Sequence, residues 1–460
     1  MLVRSLCQLR HLRYFSLEGT NVSRLPEDIH RMKFLQHILL LGSMNLESLP
    51  SSIIKLVHLR SLNMHGMNAS VMIPKGFGGL TNLRTLLGFP IRMDMDGSSW
   101  CSLGEIGPLS QLRKLTLHGL QNVPASSLAE MARISSKERL DYLELHWSSS
   151  GWMELRDEIE KQQQQHAAEE VLEKLCPPPR IQHLRIQGYF GRMLPNWMMV
   201  PNAAIEAFKS LMILALWDLC CCTKLPDGLR QLPSLKTLSI RDAQAIQSIG
   251  FEFQASSSLT AVGGTTVTSV AFPNLTHLAL EELCEWEEWD WEEQATVDVT
   301  AGTMAMPCLE RLHMTNCKLN SLPPGLANIK RHALMGLYLY KITNLAFVEN
   351  FLSVVELDVF DCPELKRISG LSRLHKSRII RCSNLEVLEG VPALDSLVLE
   401  DATMEALPGY LQGVNPRYLE LNCNKKLYES LSAPSTSAEW NKISHIGNRD
   451  ISWIQWRSQN

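Results

Sequence analysis

An α/β solenoid is the fold class that this 460-residue sequence predicts, and three observations carry it. The pattern L-x-x-L-x-L recurs about sixteen times. Its first positions are Leu12, Leu35, Leu59, Leu83, Leu112, Leu140, Ile181, Leu211, Leu235, Leu275, Leu309, Leu334, Val354, Leu374, Leu394 and, weakly, Pro416. Within a unit the apolar spacing changes, from threes and fours at Ile53, Leu56 and Leu59 to twos at Leu62 and Met64. Proline follows leucine at Pro26, Pro50, Pro195, Pro226, Pro323 and Pro408. Units of about 20–29 residues with one short strand each are leucine-rich repeats.

The physics of such a unit sets its parts. Where the period is two, alternate residues face opposite ways, so the leucines point inward and their neighbours outward. One unit cannot bury its apolar side alone, so units stack into a continuous core. This gives a curved parallel sheet on the concave face, with short helices and loops on the convex face. Proline lacks an N–H and suits the first turn of a short helix, so it marks where each unit leaves the strand. An Asn or Cys closes several strands; Cys317, Cys362, Cys382 and Cys423 read as structural turn residues, in keeping with the buried habit of free cysteine.

Residues 1–147 form the first block of repeats, with early steps of 23, 24 and 24 residues. Residues 148–180 break the period and read as a loop and then a helix rich in Glu, Lys, Gln and Ala, stopped by Pro177–Pro179. Residues 181–253 are middle repeats. Residues 254–271, QASSSLTAVGGTTVTSVA, read as a flexible surface loop. The repeats resume over 272–431, with a Trp-rich insertion at 281–304, and their last steps tighten to 20, 20, 20 and 22. Residues 432–460 read as a C-terminal cap or tail. Residues 281–293 hold eight carboxylates and three tryptophans. They read either as an irregular segment whose tryptophans pack inward, or as a docking patch for a basic surface.

Composition excludes several functions. A net charge of −4 and a pI near 6.4 argue against a nucleic-acid binder. No apolar run of membrane-span length is present, and the first residues lack a secretory signal's apolar core. None of the twelve cysteines forms a C-x-x-C pair, and the fourteen histidines show no metal-ligand spacing. No metal or cofactor is expected, and free thiols point to the cytoplasm. No G-x-S-x-G, Cys/His or paired-carboxylate signature of an enzyme is present.

Four segments in order resemble the leucine-rich-repeat region of plant intracellular immune receptors of the coiled-coil, nucleotide-binding (NB-ARC) class. The first is LRYFSLEGTNVSRLPEDIHRMKFLQHILLLGSMNLESLPSSIIKLVHLRSL. The second is LSQLRKLTLHGLQNVPASSLAEMARISSKERLDYLELHW. The third is AEEVLEKLCPPPRIQHLRIQGYFGRMLPNWM, and the fourth is AFPNLTHLALEELCEWEEW. They span about residues 10–290; beyond that the likeness is to generic repeats. No G-x-x-x-x-G-K-[ST] phosphate cradle is present. The expectation is therefore a fragment, a truncated product or a receptor portion without its switch, to which nucleotide binding does not carry over.

The resemblance implies protein recognition: a pathogen effector, a guarded host protein, or the receptor's own nucleotide-binding domain, whose activation it would restrain. Strand register places Trp217, Arg241, His313, Tyr338, Tyr340, Asp358, Phe360, Arg378 and Glu400 on the outward face as candidate binding residues. The alternative for the aromatic ones is packing against each other along the ladder. Arg13, Arg60, Arg84 and Arg113 each follow the first leucine of a unit and form a candidate basic edge. It is either a contact for the switch domain or a solvated edge. The competing function is a stand-alone repeat scaffold or ubiquitin-ligase substrate receptor; uneven repeats and the lack of an F-box weigh against it.

Overall fold

A computed structural model describes residues 9–67, 71–92, 101–199, 208–246, 248–249, 271–289, 306–327, 333–432 and 438–454. The loop read at 254–271 lies almost wholly outside them, as do residues 290–304 of the acidic insertion. The chain forms two compact units, Met1–Leu235 and Lys236–Asn460. Each is a leucine-rich-repeat solenoid.

Unit 1 carries parallel strands β1 (Tyr14–Ser16), β2 (His37–Leu39), β3 (Ser61–Asn63), β4 (Thr85–Pro90), β5 (Lys114–His118), β6 (Tyr142–His146), β7 (His183–Gln187) and β8 (Ile213–Trp217). Each pairs with the next, and the register stacks Ile38, Leu62, Leu86, Leu115, Leu143, Leu184 and Leu214 into one fully buried column. Burying a side chain of this kind contributes roughly 1.5–3 kcal/mol. On the far side of the strands the Leu-Pro pairs do what their chemistry demands. The carbonyls of Pro26, Pro50 and Pro195 accept from the N–H groups of Ile29, Ile53 and Met198 at 2.9–3.1 Å, opening short helical turns.

The 148–180 insertion is helical. α1 (Ser126–Met131) precedes it, and α2 (Ser149–Glu154) and α3 (Glu158–Lys174) lie within it. Asp157 caps α3 by accepting from the Ile159 N–H at 2.8 Å. The helix docks by its carboxylates as well as its apolar side. Glu169 accepts from the N–H groups of Arg192 and Met193 at 2.8 and 3.3 Å, and Glu173 from that of Asn196 at 2.8 Å.

Unit 2 carries β9 (Thr237–Arg241), β11 (His277–Glu281), β13 (Arg311–Cys317), β14 (Gly336–Ile342), β16 (Glu356–Phe360), β18 (Lys376–Ile380), β20 (Ser396–Asp401), β21 (Tyr418–Cys423) and β22 (Asn448–Trp453). These also pair in parallel order. β22 lies in the stretch read as cap or tail and is one strand beyond the sixteen units counted. Its sequence NRDISW has no leucine to reveal it. Small pairings lie beside this sheet: β10 (Ser248–Ile249) with β12 (Glu288–Trp289), and β15 (Phe347–Glu349), β17 (Arg367–Ser369) and β19 (Val387–Glu389) in a row. The row β15–β17–β19 occurs where the repeats shrink to 20 residues. Fewer residues must span the same crossing, and extended chain covers about 3.3 Å per residue against about 2.0 Å for a 3₁₀ turn.

Strand ends share a device. Gly19, Gly42, Gly66, Gly119 and Gly188 in unit 1 have positive φ, as do Asp242, Glu282, Asn316, Lys341, Asp361 and Arg381 in unit 2. Several of their N–H groups donate to the next repeat, as Gly188 to Trp217 O at 3.0 Å and Asp361 to Ile380 O at 2.8 Å. Just beyond, the Cys317, Cys362 and Cys382 thiols are buried and contact backbone carbonyls at 3.4–3.9 Å. Cys362 and Cys382 stand just past their strands, whereas Cys317 is the last residue of β13, opposite Ile342.

Candidate functional site

On the outward face of unit 2, register brings part of the candidate set together. His313, Tyr338, Asp358 and Arg378 occupy one row across β13, β14, β16 and β18, and Thr315, Tyr340, Phe360 and Ile380 the next. A cleft of about 380 Å³ opens between Tyr340, Phe360 and Ile380, with Asp358 and Arg378 on its wall. Tyr340 and Phe360 meet edge to face with centroids 6.2 Å apart, and the Arg381 guanidinium covers Phe360 at 4.4 Å. Asp358 is only 7% exposed. Its Oδ2 accepts from the Tyr340 hydroxyl at 3.5 Å and the Arg378 guanidinium at 3.4 Å, whereas Oδ1 is buried without a hydrogen-bond partner among the described residues. Burial pushes this carboxyl above its ordinary value, against the pull of Arg378.

The other candidates separate. Tyr338 stacks on His313 at 4.1 Å and donates to Glu356 at 2.8 Å, so it packs along the ladder. Arg241 sits by register beyond Glu281 and Thr315 and pairs with Asp242 and Glu281 at 3.3 and 3.8 Å. Glu400 accepts from Asn422 at 3.5 Å. Trp217 belongs to unit 1, where Arg185 lies over its ring at 4.0 Å. Trp286 and Trp289 are buried with centroids 5.2 Å apart, which is the packing reading of the acidic run for these two; Trp291 lies outside the described residues.

Unit 1 holds a cluster that the candidate list does not contain. Glu144 stands at an outward register position of β6 yet is 2% exposed. Arg185 reaches it at 3.1 Å, Thr116 donates at 3.3 Å and Tyr142 at 2.5 Å. The His146 and His183 Nε2 atoms lie 3.5 and 3.8 Å away. Burial alone pushes Glu144 up, but the imidazoles, the Tyr142 hydroxyl and the Arg185 charge hold it well below the carboxylate range. His118 stacks on His146 at 4.3 Å, and burial and its histidine neighbours push it down to about 4. Outward alternation could have placed Glu144 on this face; its burial depends on side chains from its own strand and from two others, β5 and β7.

The basic edge has a structural cause. The backbone carbonyl of the residue after each first leucine takes two N–H donors from the next repeat: Arg60 O accepts from Arg84 and Thr85 at 2.8 and 3.1 Å. The backbone is committed and the side chain is left free. Arg13, Arg60, Arg84 and Arg113 are all exposed. Arg60 and Arg84 flank a polar cleft of about 120 Å³ with His58, Asn82 and Gln111, and neither has an ion-pair partner among the described residues.

The described residues include no group of three or more His, Cys, Asp or Glu able to hold a metal. They include no helix long and apolar enough to cross a membrane.

Fold and faces together define a leucine-rich-repeat solenoid with interaction-type surfaces. Residues 103–243 match the family model described as R13L1/DRL21 leucine-rich repeats. RPP13-like protein 1, a disease resistance protein of Arabidopsis thaliana, is 29% identical over 65% of this chain and 30% of its own length. Another disease resistance protein of that plant is 30% identical over 80% of this chain and 22% of its own length. A leucine-rich-repeat protein of Leptospira interrogans superposes with a TM-score of 0.46 at 17% identity, covering 97% of this chain and 98% of that one. The chain thus spans less than a third of the plant relatives it matches. Its repeats are of the kind found in the leucine-rich-repeat region of plant disease resistance proteins.

Proposed function

We propose that this chain is a protein-recognition surface in plant immunity, engaging pathogen effectors or host proteins they modify and restraining the activation of a receptor. The observation that carries the reading is the Tyr340–Phe360 cleft: aromatic and Arg side chains on an outward sheet face, beside a buried carboxylate with one oxygen that lacks a donor among the described residues. The likeness to disease resistance proteins supplies the biological setting. A pull-down from plant extract tests it, comparing the intact chain with Tyr338→Ala/Tyr340→Ala/Phe360→Ala. The triple variant is expected to lose at least one partner while keeping its circular dichroism spectrum; equal recovery of every partner removes this face.

The restraining role is assigned to the basic edge, because Arg60 and Arg84 have no ion-pair partner among the described residues. Their partner would be an acidic surface of a nucleotide-binding domain. Arg60→Glu/Arg84→Glu in a full-length receptor is expected to raise signalling without a pathogen, and unchanged restraint sinks the contact.

A further inference from the structure

We propose that the Tyr340–Phe360 cleft receives one uncharged, hydrogen-bond-donating aromatic side chain of a partner protein, a tyrosine or tryptophan, whose donor is accepted by Asp358. This inference rests on the protein-recognition reading above and names the chemistry of its central contact.

Three features select that occupant. The first is the unmet acceptor. Asp358 Oδ1 is buried and without a partner among the described residues, and a buried polar atom left so is destabilising. The two groups that shield Asp358 are held loosely. The Tyr340 hydroxyl and the Arg378 guanidinium reach Oδ2 at 3.5 and 3.4 Å, the outer limit of a hydrogen bond, and the Arg378 side chain is 57% exposed. Arg378, the exposed one of the two, can swing aside for a better donor while Tyr340 stays as a wall.

The second feature is charge. Arg378 already lies on Asp358, Lys341 lines the same cleft, and Arg381 covers the Phe360 ring. Arg381 is paired with Asp361 at 3.1 Å, so a partner's lysine or arginine would compete with Arg378 for Asp358 and meet Lys341 beside it. An incoming carboxylate would meet Asp358 itself. An uncharged donor avoids both repulsions.

The third is shape. The space of about 380 Å³ is walled by Tyr340, Phe360 and Ile380. It accommodates one large ring, and aromatic residues join an apolar body to a polar tip. Phenylalanine would fill the same walls but leave Asp358 unmet.

The test compares probes that differ by one hydroxyl. The intact chain is titrated with N-acetyl-tyrosinamide, N-acetyl-phenylalaninamide, N-acetyl-tryptophanamide and N-acetyl-lysinamide, followed by chemical shifts of the Ile380 and Val359 methyl groups. The tyrosine amide is expected to bind about tenfold tighter than the phenylalanine amide, the value of one added hydrogen bond to a charged acceptor. Asp358→Ala should bring the two to near equality, and Phe360→Ala should weaken both. Asp358→Asn keeps the polar wall and should give an intermediate ratio, so the measurement survives if the alanine variant folds poorly. Equal binding of the tyrosine and phenylalanine amides overturns the inference. So does tightest binding of the lysine amide, or failure of every probe to shift these methyl groups. A triple variant that loses partners while the probes show no donor preference sinks this inference alone; equal partner recovery sinks the recognition reading beneath it.

Discussion

At the scale of the residue, the two units differ in how they treat polar groups in the ladder. Ser377 occupies the leucine column between Leu357 and Leu397, 1% exposed, with a hydroxyl that has no partner among the described residues. Ser377→Ala removes the stranded hydroxyl and should raise stability by about 1 kcal/mol, read as a higher urea midpoint at unchanged slope. Glu144 is the opposite case, a buried carboxylate with its cation in place. Glu144→Gln leaves Arg185 without its counter-charge and should cost about 3 kcal/mol. The pH dependence follows in sign. Glu144 is depressed, so its contribution is full above its ordinary 4.5 and is lost as pH falls further. His118 is also depressed, to about 4, so the fold favours its neutral form, and stability falls as pH drops from 6.5 toward 4. His118→Phe should flatten that upper window and leave the lower one; an unchanged urea midpoint profile between pH 6.5 and 4 would refute the assignment. Outward alternation in YLELH was legible in the sequence. That His183 and Arg185 would close over its glutamate was not, because a strand 41 residues further along the sequence supplies them.

At the scale of the element, the repeat announced itself and the insertion gave only half its meaning. The Glu, Gln and Ala content of residues 158–174 speaks for helix. It does not say that Glu169 and Glu173 are anchors, because a carboxylate facing a backbone N–H has no sequence signature. Glu169→Ala leaves the Arg192 and Met193 N–H groups without their acceptor. The cost should be about 2 kcal/mol, with faster amide exchange along α3 as its local sign. Gly188 shows how little freedom a strand end allows. Its φ is +71°, and a Cβ there would stand 2.3 Å from Trp147 O. Gly188→Ala should cost more than the ordinary penalty for a left-handed alanine, because the clash is with backbone that the β6–β7 ladder holds fixed. The 3₁₀ turns were signalled by proline. The strands β15, β17 and β19 were not, since nothing in VLE or RIS distinguishes a short extended crossing from a turn.

At the scale of the whole molecule, stability in stacked repeats is a sum of units and nearest-neighbour interfaces. Damage should therefore stay local. In Gly188→Ala, amide protection is expected to fall across β6, β7 and β8 while β16, β18 and β20 keep theirs; uniform loss would mean the chain unfolds as one cooperative block. The fold class was legible because one physical rule, inward leucines at period two, is written out in most repeats, with Ser377 and the leucine-free β22 as exceptions. The candidate face was legible only as a list of outward positions. Which of them converge depends on register and on neighbours, as Tyr338 turning to His313 and Tyr340 to Phe360 makes plain. The row of thiols at the strand ends has a practical use. Cys317, Cys362, Cys382 and Cys423 are each at most 8% exposed, while Cys308 is exposed. An alkylating reagent would mark Cys308 at once and the others only when their own repeat opens. Mass spectrometry of the tagged peptides then turns these sulfurs into a clock at four places along unit 2, timing the breathing of each coil without an added probe.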